Sequence, residues 1–269
     1  ADPPLLLYAQ GRLELLQADS AIAIVGSRNP TPQGEQSALS FAKSLGEAGW
    51  LIVSGLALGV DAAAHQGALA SGRGTIAVVG TGLDRVYPRR HLDLAHRISQ
   101  DGLLLSEFPL GTPPLASNFP QRNRVIAGLT QGTLVVEAAL RSGSLITARL
   151  ATEAGRDVFA IPGSIHSPQS HGCHALIKQG AKLVETAEDV LDELLPLASA
   201  RPRPHPASHG GVSKDPLLEA MGQELLSLDA LVSRTGWSAQ AINVRLLDLE
   251  LSGQVARRPG QLFQRIDLA

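Results

Sequence analysis

One cysteine and one methionine stand in 269 residues, with only nine aromatic side chains (5 Phe, 2 Trp, 2 Tyr). A lone cysteine forms neither an intrachain disulfide nor a cysteine-based zinc site, and it suits a reducing cytosol. A cytoplasmic location is therefore expected. Charge of one sign is lacking too: 23 Lys and Arg face 25 Asp and Glu, a net charge of −2. This excludes a globally basic nucleic-acid binder and leaves room for a local basic patch. The longest strongly apolar run, Trp50 to Val60, is interrupted by Ser54, Gly55 and Gly59, so no membrane insertion is expected. The N-terminus has no basic n-region and no initiator Met, so it does not read as a signal peptide, and an upstream segment is expected to be missing.

What is present is apolar and regularly spaced. Hydrophobic residues make up 44% of the chain, enough to bury a sizeable core. Between residues 21 and 185, short β-rich runs that are apolar on both faces alternate with helix-length segments, as in a buried parallel sheet. Strands are expected at Ala21 to Val25, Leu51 to Val53, Thr75 to Val79, Leu103 to Leu105, Thr133 to Val136, Asp157 to Ile161 and Lys182 to Val184. The fold class is α/β: an extended Rossmann-like domain over residues 1–195. A Pro/Gly-rich linker follows over 196–215. Residues 216–269 then read as three helices (Leu217 to Leu226, Ala230 to Thr235, Ala239 to Ser252) and a hairpin turning at Pro259-Gly260, a winged helix.

An open parallel sheet forms its ligand crevice along the strand C-termini. There the sequence places Gly26-Ser27-Arg28, Ser54-Gly55, Gly80-Thr81-Gly82, Ser106-Glu107, Arg141-Ser142-Gly143-Ser144 and Pro162-Gly163-Ser164. One such turn is explained by loop geometry alone. The whole set predicts an anion pocket of backbone amides and hydroxyls. A dinucleotide is not the expected ligand, because G-x-G-x-x-G is absent and no acidic residue ends the second strand. In Asn118 to Gly128, Arg122 and Arg124 offer planar forks for phosphate, and Phe119 offers a ring for a base. From Leu115 to Leu150 four arginines (122, 124, 141, 149) face Glu137 alone, a local net of +3. The competing reading pairs Arg122 and Arg124 with core carboxylates such as Glu137 and makes Phe119 a core plug.

Asp61 and His65, four apart on an expected helix, fit an acid–base pair, although a capping Asp and a packed His are the commoner outcome. His166, His171, Cys173 and His174 lack the second, distant pair that zinc spacing needs, so no metal is expected. Neither G-x-S-x-G, a Walker A loop nor H-E-x-x-H occurs. No catalytic residue and no cofactor is nominated.

Gly26-Ser27-Arg28, Ser54 to Asp61 with Ala64-His65, Gly80 to Asp84 leading to Tyr87-Pro88, and Leu105-Ser106-Glu107 resemble the DNA-processing protein A (DprA/Smf) family. So do Phe119 to Gly128, Val135 to Ala138, Ser142 to Ala148 and Pro162-Gly163-Ser164. The resemblance implies sequence-independent binding of single-stranded DNA, protection of incoming DNA during natural transformation, and loading of the RecA recombinase. Carried over by motif, Gly26, Ser27, Arg28, Ser54, Gly55, Phe119, Arg122, Asn123, Arg124, Gly143 and Ser144 would line the DNA site. Arg28 would sit on phosphate and Phe119 against a base. A homodimer would form near Leu176, Ile177 and Leu183. Two departures stand out. Ala116 replaces a basic residue common three positions before the Phe, and the helical domain that precedes Pro3-Pro4-Leu5 in the family is expected to have been removed or lost.

The winged helix, with five arginines against six acidic residues, fits a protein contact better than duplex binding, though Arg257-Arg258 keep the duplex open. The enzyme alternative is a nucleotide N-glycoside phosphoribohydrolase of the lysine-decarboxylase-like type. That alternative rests on Gly132-Thr133-Leu134-Val135-Val136-Glu137, with Glu137 as catalytic acid.

Overall fold

Six largely buried runs between two exposed edge strands assemble into a single sheet in the computed structural model, which describes residues 3–194, 215–222, 225–252, 254–258 and 262–266. Contacts divide the chain into two units, Ala1–Arg201 and Pro202–Ala269. In the first, the strands are β1 (Tyr8–Gly11), β2 (Ala21–Val25), β3 (Leu51–Ser54), β4 (Thr75–Val79), β5 (Leu103–Ser106), β6 (Gly132–Val135), β7 (Asp157–Ala160) and β8 (Lys182–Leu183). Their order is β1-β5-β4-β3-β2-β6-β7-β8, all parallel except β1, which pairs antiparallel with β5. The fold is thus an α/β, Rossmann-like parallel sheet.

Side chains alternate across each strand, so one strand feeds two cores. Ile22 and Ile24 of β2 pack with Phe41 and Leu45 of α1 (Pro32–Glu47), Val60 and Ala64 of α2 (Val60–Ala70) and Val190 of α7 (Ala187–Leu194). Ala23 and Val25 face the other way, onto Val125 and Ile126 of α4 (Asn118–Gly128), Ala148 of α5 (Ser144–Glu153) and Cys173 of α6 (His171–Lys178). A third cluster joins β4 and β5 to α3 (Leu92–Asp101) through Leu94, Ala95 and Ile98. Helix α1 starts with Pro32 after the N-cap Thr31, whose hydroxyl accepts from Gly34 N–H at 3.0 Å.

The expected strands are all present within a residue or so, and β1 is an addition. Tyr8–Gly11 is largely exposed and carries no apolar alternation, so only its backbone pairing to β5 makes it a strand. Among the described residues no helix is long and apolar enough to cross a membrane.

In the second unit, α8 (Pro216–Met221), α9 (Leu228–Thr235) and α10 (Ala239–Leu251) pack with β9 (Leu226–Ser227), β10 (Val255–Arg258) and β11 (Leu262–Arg265) around Leu231, Ile242, Leu246 and Phe263. Strand order β10-β11-β9 makes the wing. The first helix is shorter than the sequence pattern suggests. Gly222, at positive φ (53°), follows its last residue, and Leu226–Ser227 pairs with Phe263 and Leu262 as a strand. The expected linker, residues 196–215, falls outside the described residues apart from Asp215, as does the Pro259-Gly260 turn.

Candidate nucleic-acid interface

The central strand β2 continues through α1 to β3 on one side, while β6 lies on its other side. Loops leaving β2 and β6 therefore diverge, and a crevice opens at this switch in strand order. It is a cleft of about 750 Å³ whose lining includes Ser27, Arg28, Phe119, Asn123, Arg141 and Ser144.

Helix α4 supplies one bank. Phe119, Arg122, Asn123 and Ile126 recur at three- and four-residue spacing, so they share a face, and all four line the cleft. Arg124 is five residues beyond Phe119, turned about 140° around the helix. It points elsewhere and pairs with Glu107. Phe119 is partly buried, with the Arg28 and Arg122 guanidinium carbons 5.7 and 5.9 Å from its ring centroid. Tyr87 lies 5.6 Å from it, tilted by 43°.

Arg122 is 4% exposed. Its Nη1 donates to the carbonyls of Gly55 and Val78, and its Nε donates to Asn123 Oδ1 at 3.1 Å. A Cβ at Gly55 would collide with this guanidinium, so the close approach requires glycine there. Burial lowers the Arg122 pKa to about 10, with Asp61 opposing that shift, and the side chain stays cationic at neutral pH. Burial in turn raises the Asp61 pKa, countered by the Arg122 charge and by N–H groups. Those are the amides of Gly55 and Ala57, which donate to Asp61 Oδ2 at 3.1 and 3.3 Å.

Between them Leu56 holds φ at 59°, uncommon for a non-glycine residue, with its N–H on His65 Nε2 (3.3 Å) and its carbonyl accepting from His91 Nδ1 (3.0 Å). Asp61 and His65 thus each hold the 55–57 loop and do not pair with one another. The acid–base alternative gives way to the packing one.

The opposite bank comes from β6 and α5. Ser142 Oγ and Ser144 Oγ are 2.7 Å apart at the start of α5, and Asn123 Nδ2 donates across to Gly143 O at 3.4 Å. Gln169, whose backbone carbonyl accepts from Ala138 N–H just after β6 (2.7 Å), ties this bank to the β2 loop: its Oε1 accepts from Ser27 Oγ (3.3 Å) and its Nε2 donates to Asn29 O (3.1 Å).

Of the eleven residues nominated from sequence, Gly26, Ser27, Arg28, Phe119, Arg122, Asn123, Gly143 and Ser144 line the cleft. Ser54, Gly55 and Arg124 do not. Ser54 Oγ donates to Ile24 O at 2.6 Å inside the core, and Gly55 braces Arg122. The +3 stretch is likewise only partly directed at the cleft, since Arg149 pairs with Glu153 on α5. Sequence reasoning left out Tyr87, Arg141 and Gln169. The first stood in a quoted motif and the second in the charge tally, but nothing near Gln169 signalled its partners.

Glu137 does not line the cleft. It pairs with no cleft arginine, and its carboxylate accepts from Thr31 N–H (2.8 Å) and Thr31 Oγ1 (2.6 Å) at the head of α1. His171 and His174 use Nε2 on the carbonyls of Ile165 and Gly163, at 3.0 and 2.9 Å. Cys173 faces the core, where burial pushes its thiol up to about 11. In the smaller unit, Arg257 lies over Phe263, Arg258 bonds Gln264, and Arg245 pairs with Asp215. Exposed carbon lies around α10 instead: Trp237 (36%), Val244 (60%) and Leu247 (56%).

A family model described as DNA recombination-mediator protein A matches residues 1–195, and one described as DprA winged helix domain matches residues 201–261. Protein Smf of Escherichia coli is 46% identical over 267 residues, covering 96% of this chain and 71% of that protein. The X-ray structure of DNA processing protein A from Streptococcus pneumoniae is 53% identical, with TM-score 0.68, covering 71% of this chain and 66% of that one. A structure of DNA processing protein A from Helicobacter pylori, described by its single-stranded DNA binding mode, is 35% identical with TM-score 0.66, covering 72% and 88%. With both units matched in chain order, the chain belongs to the DNA recombination-mediator protein A family.

Proposed function

We propose that this chain binds single-stranded DNA without sequence preference in the cleft between α4 and α5, acting by binding and not by catalysis. The observation that carries this is the Phe119 ring with two guanidiniums beside it, opposite a bank of serine hydroxyls. Rings accept any base, and guanidiniums and hydroxyls accept any phosphate. We propose further that it protects incoming DNA in the cytoplasm and delivers it to RecA during natural transformation, a reading supported by its membership of the recombination-mediator family. We divide the chain into a DNA-binding unit (1–195), a linker (196–215) and a winged helix (216–269).

Fluorescence anisotropy with oligo-dT tests this. The wild type is expected to bind tightly and more weakly as salt rises, while Arg28→Ala loses about tenfold and nucleates RecA filaments correspondingly poorly. Equal binding by Arg28→Ala and wild type would remove Arg28 from the site. For the winged helix, the exposed carbon around α10 favours a protein contact. A duplex in the same titration is expected to bind weakly, and tight duplex binding abolished by Arg257→Ala would restore the duplex role.

A homodimer is proposed through the β8 end of the sheet. Supporting it, β8 is a two-residue edge strand, Leu183 is 45% exposed, and Leu176 and Ile177 are only partly buried. Light scattering should find a dimer in the wild type and a monomer in Leu183→Arg. A dimer unchanged by that substitution would move the interface elsewhere.

A further inference from the structure

The two banks of the cleft differ in chemistry. On the α4 side the lining is largely carbon: Tyr87, Pro114, Ala116, Phe119 and Pro120, with Arg122 of α4 and Arg28 of the β2 loop beside the Phe119 ring. Arg122 is committed to the carbonyls of Gly55 and Val78. Tyr87 is 50% exposed. Its ring is tilted against Phe119 and not stacked on it, so both rings keep surface for a flat partner.

The β6–α5 side is the reverse. Arg141 is exposed there and, among the described residues, makes no hydrogen bond or ion pair. Ser142 and Ser144 stand beside it with paired hydroxyls, and Gly143 leaves the backbone open between them. A cation with no protein partner beside small hydroxyl residues is matched by a phosphodiester, whereas exposed rings facing carbon are matched by bases.

We propose that the strand lies with its bases toward the Tyr87–Phe119 bank and its phosphates toward the Arg141 bank. Tyr87 is then a second base-stacking platform and Arg141 a phosphate contact. This rests on the single-stranded DNA reading of the same cleft and adds the orientation of the strand within it.

Two oligonucleotides of equal length separate the contributions: oligo-dT, and an abasic strand with the same sugar–phosphate backbone. Tyr87→Ala lowers affinity for oligo-dT about tenfold and leaves abasic binding unchanged, while Tyr87→Phe, which keeps the ring, binds both as the wild type does. Arg141→Ala weakens both strands alike and reduces the slope of log K against log salt by about 0.7. An equal loss on both strands for Tyr87→Ala, or an unaltered salt slope for Arg141→Ala, overturns the orientation. Normal wild-type binding with both alanine variants neutral overturns this inference alone. A wild type that binds neither strand overturns the single-stranded DNA reading with it.

Discussion

Arg122→Ala is expected to cost about 3–5 kcal/mol of folding stability, so that it loses DNA binding by losing the cleft itself. The guanidinium is a cation against the buried Asp61 and also donates to the carbonyls of Gly55 and Val78 and to the Asn123 amide oxygen. Removing it leaves a carboxylate in low dielectric without its main counter-charge, and takes a charged donor from both carbonyls. Arg28→Ala is the control, since Arg28 touches the same ring without bracing any backbone. Urea unfolding should move the midpoint strongly for Arg122→Ala and hardly at all for Arg28→Ala. A wild-type midpoint in Arg122→Ala would mean that the arginine serves ligand alone, as its sequence context first suggests.

The second large effect is a dependence on pH centred on His65. This side chain is fully buried, with Nε2 accepting the Leu56 N–H. Thr75 Oγ1 donates to Ile52 O at 2.7 Å and therefore accepts from His65 Nδ1 at 2.9 Å, which assigns the ring as neutral with its proton on Nδ1. Burial, reinforced by charge on His91 and Arg122, lowers its pKa from 6.5 to about 3.

In the unfolded chain the same ring takes a proton near pH 6.5, while the folded one does not. The contribution is thus fully present above pH 6.5 and declines as pH falls toward 3, at about 1.4 kcal/mol per unit inside that window. In His65→Gln the titration is gone. At pH 8 the variant should be less stable by about 1–3 kcal/mol, through the altered bonds to Leu56 and Thr75. Its deficit should shrink steadily on going to pH 4.5. A gap between the two urea midpoints that stays constant across this range would falsify the assignment.

These two side chains also mark how far the sequence alone could be read. Buried parallel strands announce themselves as continuous apolar runs, so β2 to β7 were legible, whereas β1 exists only because β5 leaves an edge for it. Of the six hydroxyl and glycine turns at the strand ends, Gly26 to Arg28 and Arg141 to Ser144 line the cleft and the other four do not, because the crevice opens only where the strand order switches between β2 and β6. The division of labour among the arginines was less accessible. Helix register alone separates Arg124 from Arg122. That Arg122 turns inward depends on Gly55 and Val78, 67 and 44 residues away. The i, i+4 spacing of Asp61 and His65 was visible, but their partners lie in a loop and a strand that only the fold brings to them.

Gln169 reaches 140 residues back along the chain to hold the loop after β2 against the bank built from β6. Its bonds to Ser27, Asn29 and Ala138 all join neutral groups, so neither ionic strength nor mild acid weakens them as they weaken contacts to phosphate. The empty cleft should accordingly keep its width in salt strong enough to drive DNA out. A binding curve taken across salt then measures attraction between fixed charges, undistorted by any opening or collapse of the groove that holds them.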